Sequence, residues 1–121
     1  MRRYLIAGVV SAGLLLAANA KVDQAKAKVK EGKYDEAITL LETEHKAQPK
    51  SAEVKTALAQ AHLSYGDSLM NNAQLPPFRK YPGALKQYRS VLQYEPENKK
   101  AKENIALIEG IYKSMGREVP K

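Results

Sequence analysis

Apolar and small residues at Val22, Ala25 and Val29, and again at Ile38 and Leu41, recur at spacings of three and four, which puts each set on one buried helical face. Gly32 separates the two runs. Asp35 and Glu36 stand where the second helix begins, placing negative charge at the positive end of its dipole, and Pro49 stops it. Ser51 is a good N-cap for a third helix whose stripe is Leu58, His62, Tyr65 and Leu69, with Ala57, Ala59 and Ala61 permitting close approach. Asn71, Asn72 and the pair Pro76-Pro77 end it. A fourth helix is predicted from about Pro82 to Tyr94, with Leu85, Tyr88, Val91 and Leu92 inward and Pro96 as its stop. A fifth, from about Asn98, carries Ile105, Ile108 and Tyr112, and Gly116 falls where a helix C-terminus takes the left-handed conformation. The pattern predicts an all-α chain.

One stretch of this pattern is written twice. GKYDEAITLLETEHKAQP ends at Pro49 and KYPGALKQYRSVLQYEP at Pro96, and with these prolines in register the two share Lys-Tyr, then an Ala followed by Ile or Leu. Gly32-x-Tyr34-x-x-Ala37-Ile38, with Leu41 and Pro49, resembles the second half of a tetratricopeptide repeat, a helix-turn-helix unit with a period of 34 residues. Tyr81-x-x-Ala84-Leu85, Tyr88 and Pro96 resemble the same half of another unit, and Ala52 to Gly66 resembles its first helix, with Leu58-Ala59 where the family has Leu-Gly. The aromatic usual near the start of the first helix is Lys21 in one unit and Lys55 in the other.

The resemblance implies a short α-solenoid: one unit over residues 21–49, a second over 50–96 and a capping helix with tail over 97–121. The two prolines are 47 residues apart. The excess over the family period is assigned to an insertion at about 67–80, which extends the third helix through Leu69 and Met70 and returns as a proline-containing loop. Lys99, Lys100, Lys102, Glu103 and Glu109 supply the polar outer face that a terminal repeat helix needs.

The chain begins MRRYLIAGVVSAGLLLAANA, with Arg2 and Arg3 before an uncharged, mostly apolar run and then Ala18-Asn19-Ala20. This is the layout of a secretory signal peptide over residues 1–20, cleaved after Ala20. The run is shorter than the roughly 20 residues of a membrane span. The expectation is an exported chain, periplasmic or associated with the cell envelope. Membrane association follows only if the segment is retained as an anchor.

The composition offers little for catalysis. With no cysteine there is no disulfide framework, Fe-S cluster, thiolate zinc site or cysteine nucleophile. Glu42-x-x-His45 places a carboxylate and an imidazole on one helical face, half of a di-iron bundle site, and the second half is missing. His62 lies on an apolar stripe and reads as a packing residue. The serines have no nucleophile-elbow pattern and the glycines form no phosphate-cradling loop. A non-enzyme without cofactor or metal is expected.

Net charge is formally +7. Glu31, Asp35 and Glu36 interleave Lys26, Lys28, Lys30 and Lys33, and most tyrosines fall on expected buried faces, so nucleic acid is not the expected partner. The family resemblance instead implies a partner protein, gripped on the concave surface lined by the first helix of each repeat. Carried over residue by residue, that surface has Val22, Lys26 and Val29, then Thr56, Gln60 and Leu63, then Lys100, Glu103 and Leu107. The family's two-carboxylate clamp is not expected, because Val22, Lys26 and Ala57 depart from it and Lys100 alone agrees. Phe78 and Arg79 of the insertion are a second candidate contact, unless Phe78 and Leu75 tuck over the third and fourth helices. The expected role is a scaffold or adaptor joining another protein. The alternative is a self-associating structural subunit, since two and a half units fall short of the three that repeat proteins usually need.

Overall fold

The computed structural model describes residues 20–121, and the expected signal segment over residues 1–20 lies outside the described residues except for Ala20. Five helices and no strands occur among them: α1 over 20–30, α2 Tyr34–Ala47, α3 Ala52–Met70, α4 Pro77–Tyr94 and α5 Lys99–Ser114. The chain is all-α, as the periodicity requires. It divides into two compact units, one ending at Ala57 and one from Leu58 to Lys121, the division falling within α3.

In the first unit, Gly32 turns the chain with φ 77°, a conformation that costs glycine little and other residues more. The amide of Gly32 donates to the Val29 carbonyl at 3.0 Å and that of Lys33 to the Lys28 carbonyl at 2.8 Å, the two bonds of a Schellman cap. The turn sends α2 back along α1, so Lys21 at the start of α1 reaches Glu44 near the end of α2 at 3.8 Å. Val22, Ala25, Ala37, Ile38 and Leu41 are buried on these helices. Ser51 caps α3 as expected, its hydroxyl accepting from the Val54 amide at 3.3 Å.

The second unit packs the C-terminal part of α3 with α4 and α5. Its core joins Ala59, Leu63, Ala84, Leu85, Tyr88, Val91, Ala101, Ile108 and Tyr112. Asn98 caps α5 by accepting from the Ala101 amide at 2.9 Å. Gly116, at φ 65°, closes it with a second Schellman pair: Gly116 to the Lys113 carbonyl and Arg117 to the Tyr112 carbonyl. Burial on α3 is not confined to the expected stripe. Tyr65 is only half-buried, whereas Val54, Ala57, Ala59, Ala61, Leu63 and Gly66 are buried together with Leu58 and His62.

The helix α4 begins five residues before the expected Pro82. Two prolines compete for the first helical position, and Pro77 takes it, with Pro76 extended before it at φ −69° and ψ 154°. The Pro76 carbonyl accepts from the amides of Arg79 and Lys80 at 3.0 and 2.9 Å. Pro82 then lies inside the helix, where it deprives the Phe78 carbonyl of its usual donor. The early start brings Tyr81 onto the core. The expected loop is correspondingly short: α3 continues through Leu69 and Met70, and only residues 71–76 connect it to α4.

Tyr88 is the largest fully buried side chain, and its hydroxyl donates to Asp67 Oδ1 at 2.6 Å. Burial first, then the bonded carboxylate, raises its pKa well above the ordinary tyrosine value. A raised folded-state pKa means that this contribution is whole below the unfolded pKa of about 10 and is lost as pH rises beyond it. The urea midpoint of the wild type is therefore expected to fall more between pH 8 and pH 11 than that of Tyr88→Phe. Equal falls would contradict this role for Tyr88.

Candidate protein-interaction surfaces

Among the residues expected to meet a partner, those of the first unit divide by burial. Lys26 and Thr56 are exposed, Val29 is half-buried, and Val22 is fully buried in the core. A groove of about 560 Å³ opens elsewhere on this unit, between the Lys21–Lys28 side of α1 and the Asp35–Thr43 side of α2. Its charges are mixed and partly satisfied internally, since Lys28 meets Glu36 at 3.4 Å.

In the second unit Gln60 is exposed, but Leu63 is 7 % exposed and belongs to the core, so the expectation that it faces a partner is corrected. Carrying the family's register onto α3 places Leu63 outward. Its apolar side chain is drawn instead into the cluster around Tyr88 and Ile108. Lys100 and Glu103 are exposed but engaged, with Asp67 at 3.9 Å and Lys99 at 4.0 Å respectively. Leu107 is 54 % exposed.

Phe78, the chain's only phenylalanine, is 70 % exposed on the first turn of α4, with Arg79 exposed beside it. The alternative in which Phe78 closes over the helices is thereby excluded, while Leu75 and Pro76 are half-buried. Helix α4 gives the reason. The residues of α4 that meet the core begin at Tyr81 and continue through Ala84, Leu85, Tyr88 and Val91, whereas Phe78, on the same side as Leu85, lies on the first turn before any of them.

The two histidines do not form a reactive pair. His62 is buried, with Nδ1 and Gln87 Oε1 2.7 Å apart and its ring stacked on Tyr94 at 6.0 Å and 12°. His45 is half-buried and Glu42 is exposed, and no group of three His, Asp or Glu side chains could hold a metal among the described residues. No helix among these residues is long and apolar enough to cross a membrane. What the sequence pattern did not single out is the outward face of α4. That helix carries Arg79, Lys80, Lys86 and Arg89 and no carboxylate, a one-sided composition visible in residues 77–94 once the helix is known to begin there.

A helical-repeat hairpin with exposed anchors is the class of structure defined by these observations, and comparison with known families agrees. A family model described as Tetratricopeptide repeat matches residues 22–68, which span most of α1, all of α2 and most of α3. The match covers less than half of the chain, and over those residues the chain is similar to a tetratricopeptide repeat. No curated protein and no solved structure matches it significantly. Tetratricopeptide repeats generally mediate protein–protein interaction and are generally not catalytic.

Proposed function

We propose that the chain is a non-catalytic adaptor of the cell envelope, exported by its N-terminal segment, that holds another protein by surface complementarity. The repeat match supports the interaction role, and the basic-apolar-AxA layout before Lys21 supports export. The observation that carries the reading is Phe78. A lone large aromatic left 70 % exposed next to an unpaired arginine is the kind of anchor that dominates protein interfaces.

Because Phe78 is so exposed, Phe78→Ala should change stability by less than about 0.5 kcal/mol, as surface substitutions do. Phe78→Ala combined with Arg79→Ala should abolish capture of the partner by cross-linking in an envelope fraction, while the melting temperature stays within about 2 °C. Retained capture, or a partner recovered only from the cytosolic fraction, contradicts the proposal. A second reading, self-association, draws on Leu107, 54 % exposed on the terminal helix, and Met115, 45 % exposed just after it. Light scattering that finds a concentration-dependent dimer, weakened by Leu107→Glu, would favour it.

A further inference from the structure

Two of the four cations of α4 stand where its own helix disfavours them. Arg79 and Lys80 occupy its first turn, at the positive end of the peptide dipoles, with no carboxylate there and no side-chain cap at Pro76. None of the ion pairs among the described residues reaches Arg79, Lys80, Lys86 or Arg89. On the neighbouring helix Lys99, Lys100 and Lys102 each meet a carboxylate, and Lys113 alone of its lysines does not. A local rule broken at two adjacent positions, with no compensating ion pair, is expected where a surface serves a ligand.

Arg79 and Lys86 are two helical turns apart and so share one face, and Arg89 follows within a turn, giving a row about 15 Å long. Lys86 and Arg89 line a groove of about 410 Å³ with Ser90 and Gln93 on one side and Pro120 and Lys121 of the C-terminal tail on the other. No Asp or Glu side chain lines it. Phe78 stands one residue before Arg79, at the start of the row.

We propose that this groove is the docking site for an acidic segment of the partner protein, an extended stretch rich in aspartate and glutamate. The proposal rests on the adaptor reading and names the chemistry of its partner. About five extended residues, at roughly 3.3 Å each, span the row from Arg79 to Arg89. Carboxylates meet the cations, Ser90 and Gln93 can bond the peptide backbone, and Phe78 contacts an apolar residue at one end. A trough between a helix and a tail suits a single extended chain, and Phe78 is the one large apolar side chain exposed along the row, whereas a membrane-lying helix presents a whole apolar face.

The test uses the full chain in a neutral detergent and a fluorescein-labelled peptide of alternating glutamate and serine, followed by anisotropy at low salt. Saturable binding is expected, weakened at least about tenfold by Lys86→Glu with Arg89→Glu, and weakened also by added salt, which screens charge pairs at an exposed site. Lys30→Glu with Lys50→Glu makes the same change in net charge on the first unit, where both lysines are exposed and outside every ion pair among the described residues, and should alter binding less than about twofold. Absence of binding, or equal weakening by both pairs of substitutions, overturns the groove. So does a peptide-independent attachment to vesicles containing anionic lipid that requires Lys86 and Arg89, which would make the row a membrane contact. The adaptor reading fails separately, by persistence of partner capture in the Phe78 and Arg79 variant.

Discussion

Tyr88→Ala is expected to destabilise the protein by about 4 kcal/mol, a loss at the upper end for deletion of a buried aromatic. Tyr88 is 1 % exposed and stands in the middle of the second unit's core, with neighbours contributed by α3, α4 and α5. Alanine there removes a ring from three helices at once and leaves a cavity that the surrounding backbone can fill only partly. It also strips Asp67 of its 2.6 Å donor, leaving that carboxylate with Lys100 at 3.9 Å. Tyr88→Phe keeps the ring and loses only the hydroxyl, so it should cost about 1–2 kcal/mol. Urea denaturation of the three proteins gives both numbers. Near-equal losses for the two variants would mean that the hydrogen bond, and not the packed ring, holds this core.

Gly66→Ala comes next, and its sign is the informative part. In an exposed helix interior alanine outperforms glycine by about 1 kcal/mol. Here a β-carbon would lie 2.7 Å from Tyr88 Cε1 and 2.9 Å from Cζ, closer than carbon atoms approach. The ring has nowhere to go, being fully buried and fixed at its hydroxyl. Overpacking of this kind costs about 1–3 kcal/mol, so the net expectation is a loss of about 1–2 kcal/mol despite the gain in propensity. Gly110→Ala, on α5 with no atom within 4 Å of the new carbon, should instead stabilise by about 0.7 kcal/mol. If both substitutions stabilise, the close approach of α3 and α4 at Tyr88 is not as described.

The features that were legible in the sequence are those that act within a few residues. Gly32 and Gly116 adopt positive φ and close helices, Ser51 and Asn98 cap helix starts through their own side chains, and Asp35 and Glu36 occupy the first turn of α2. The hydrophobic spacing on α4 likewise identified Leu85, Tyr88 and Val91 as inward residues. The start of α4 was misread because Pro77 and Pro82 are equally good first-turn residues. Only the core contact of Tyr81 discriminates them, and that contact is not local. Leu63 was misplaced for a related reason, and Val22, which its spacing had put on a buried face, was set on the partner surface by the family register alone. The family register says which way a residue faces on an average repeat, whereas burial in this chain depends on the particular small residues beside it, such as Ala59 and Ala101 in the second unit. The cationic row was legible only in part. Its composition is printed in residues 77–94, but its lack of partners appears only in the structure, where none of the ion pairs among the described residues reaches it.

Gln93 is exposed and lines the groove on α4 without contributing charge, which makes it the best place for a photoreactive amino acid. Cross-linking from position 93 in cells, followed by sequencing of the joined peptide, tests most directly whether this surface holds an acidic stretch of another protein. Exposed Glu53 on the first unit provides the reference position. The expected result is one dominant adduct from position 93, absent from position 53, whose joined peptide is rich in aspartate and glutamate and comes from a different protein. The same adducts from both positions, an adduct with a second copy of this chain, or adducts with lipid alone would contradict it.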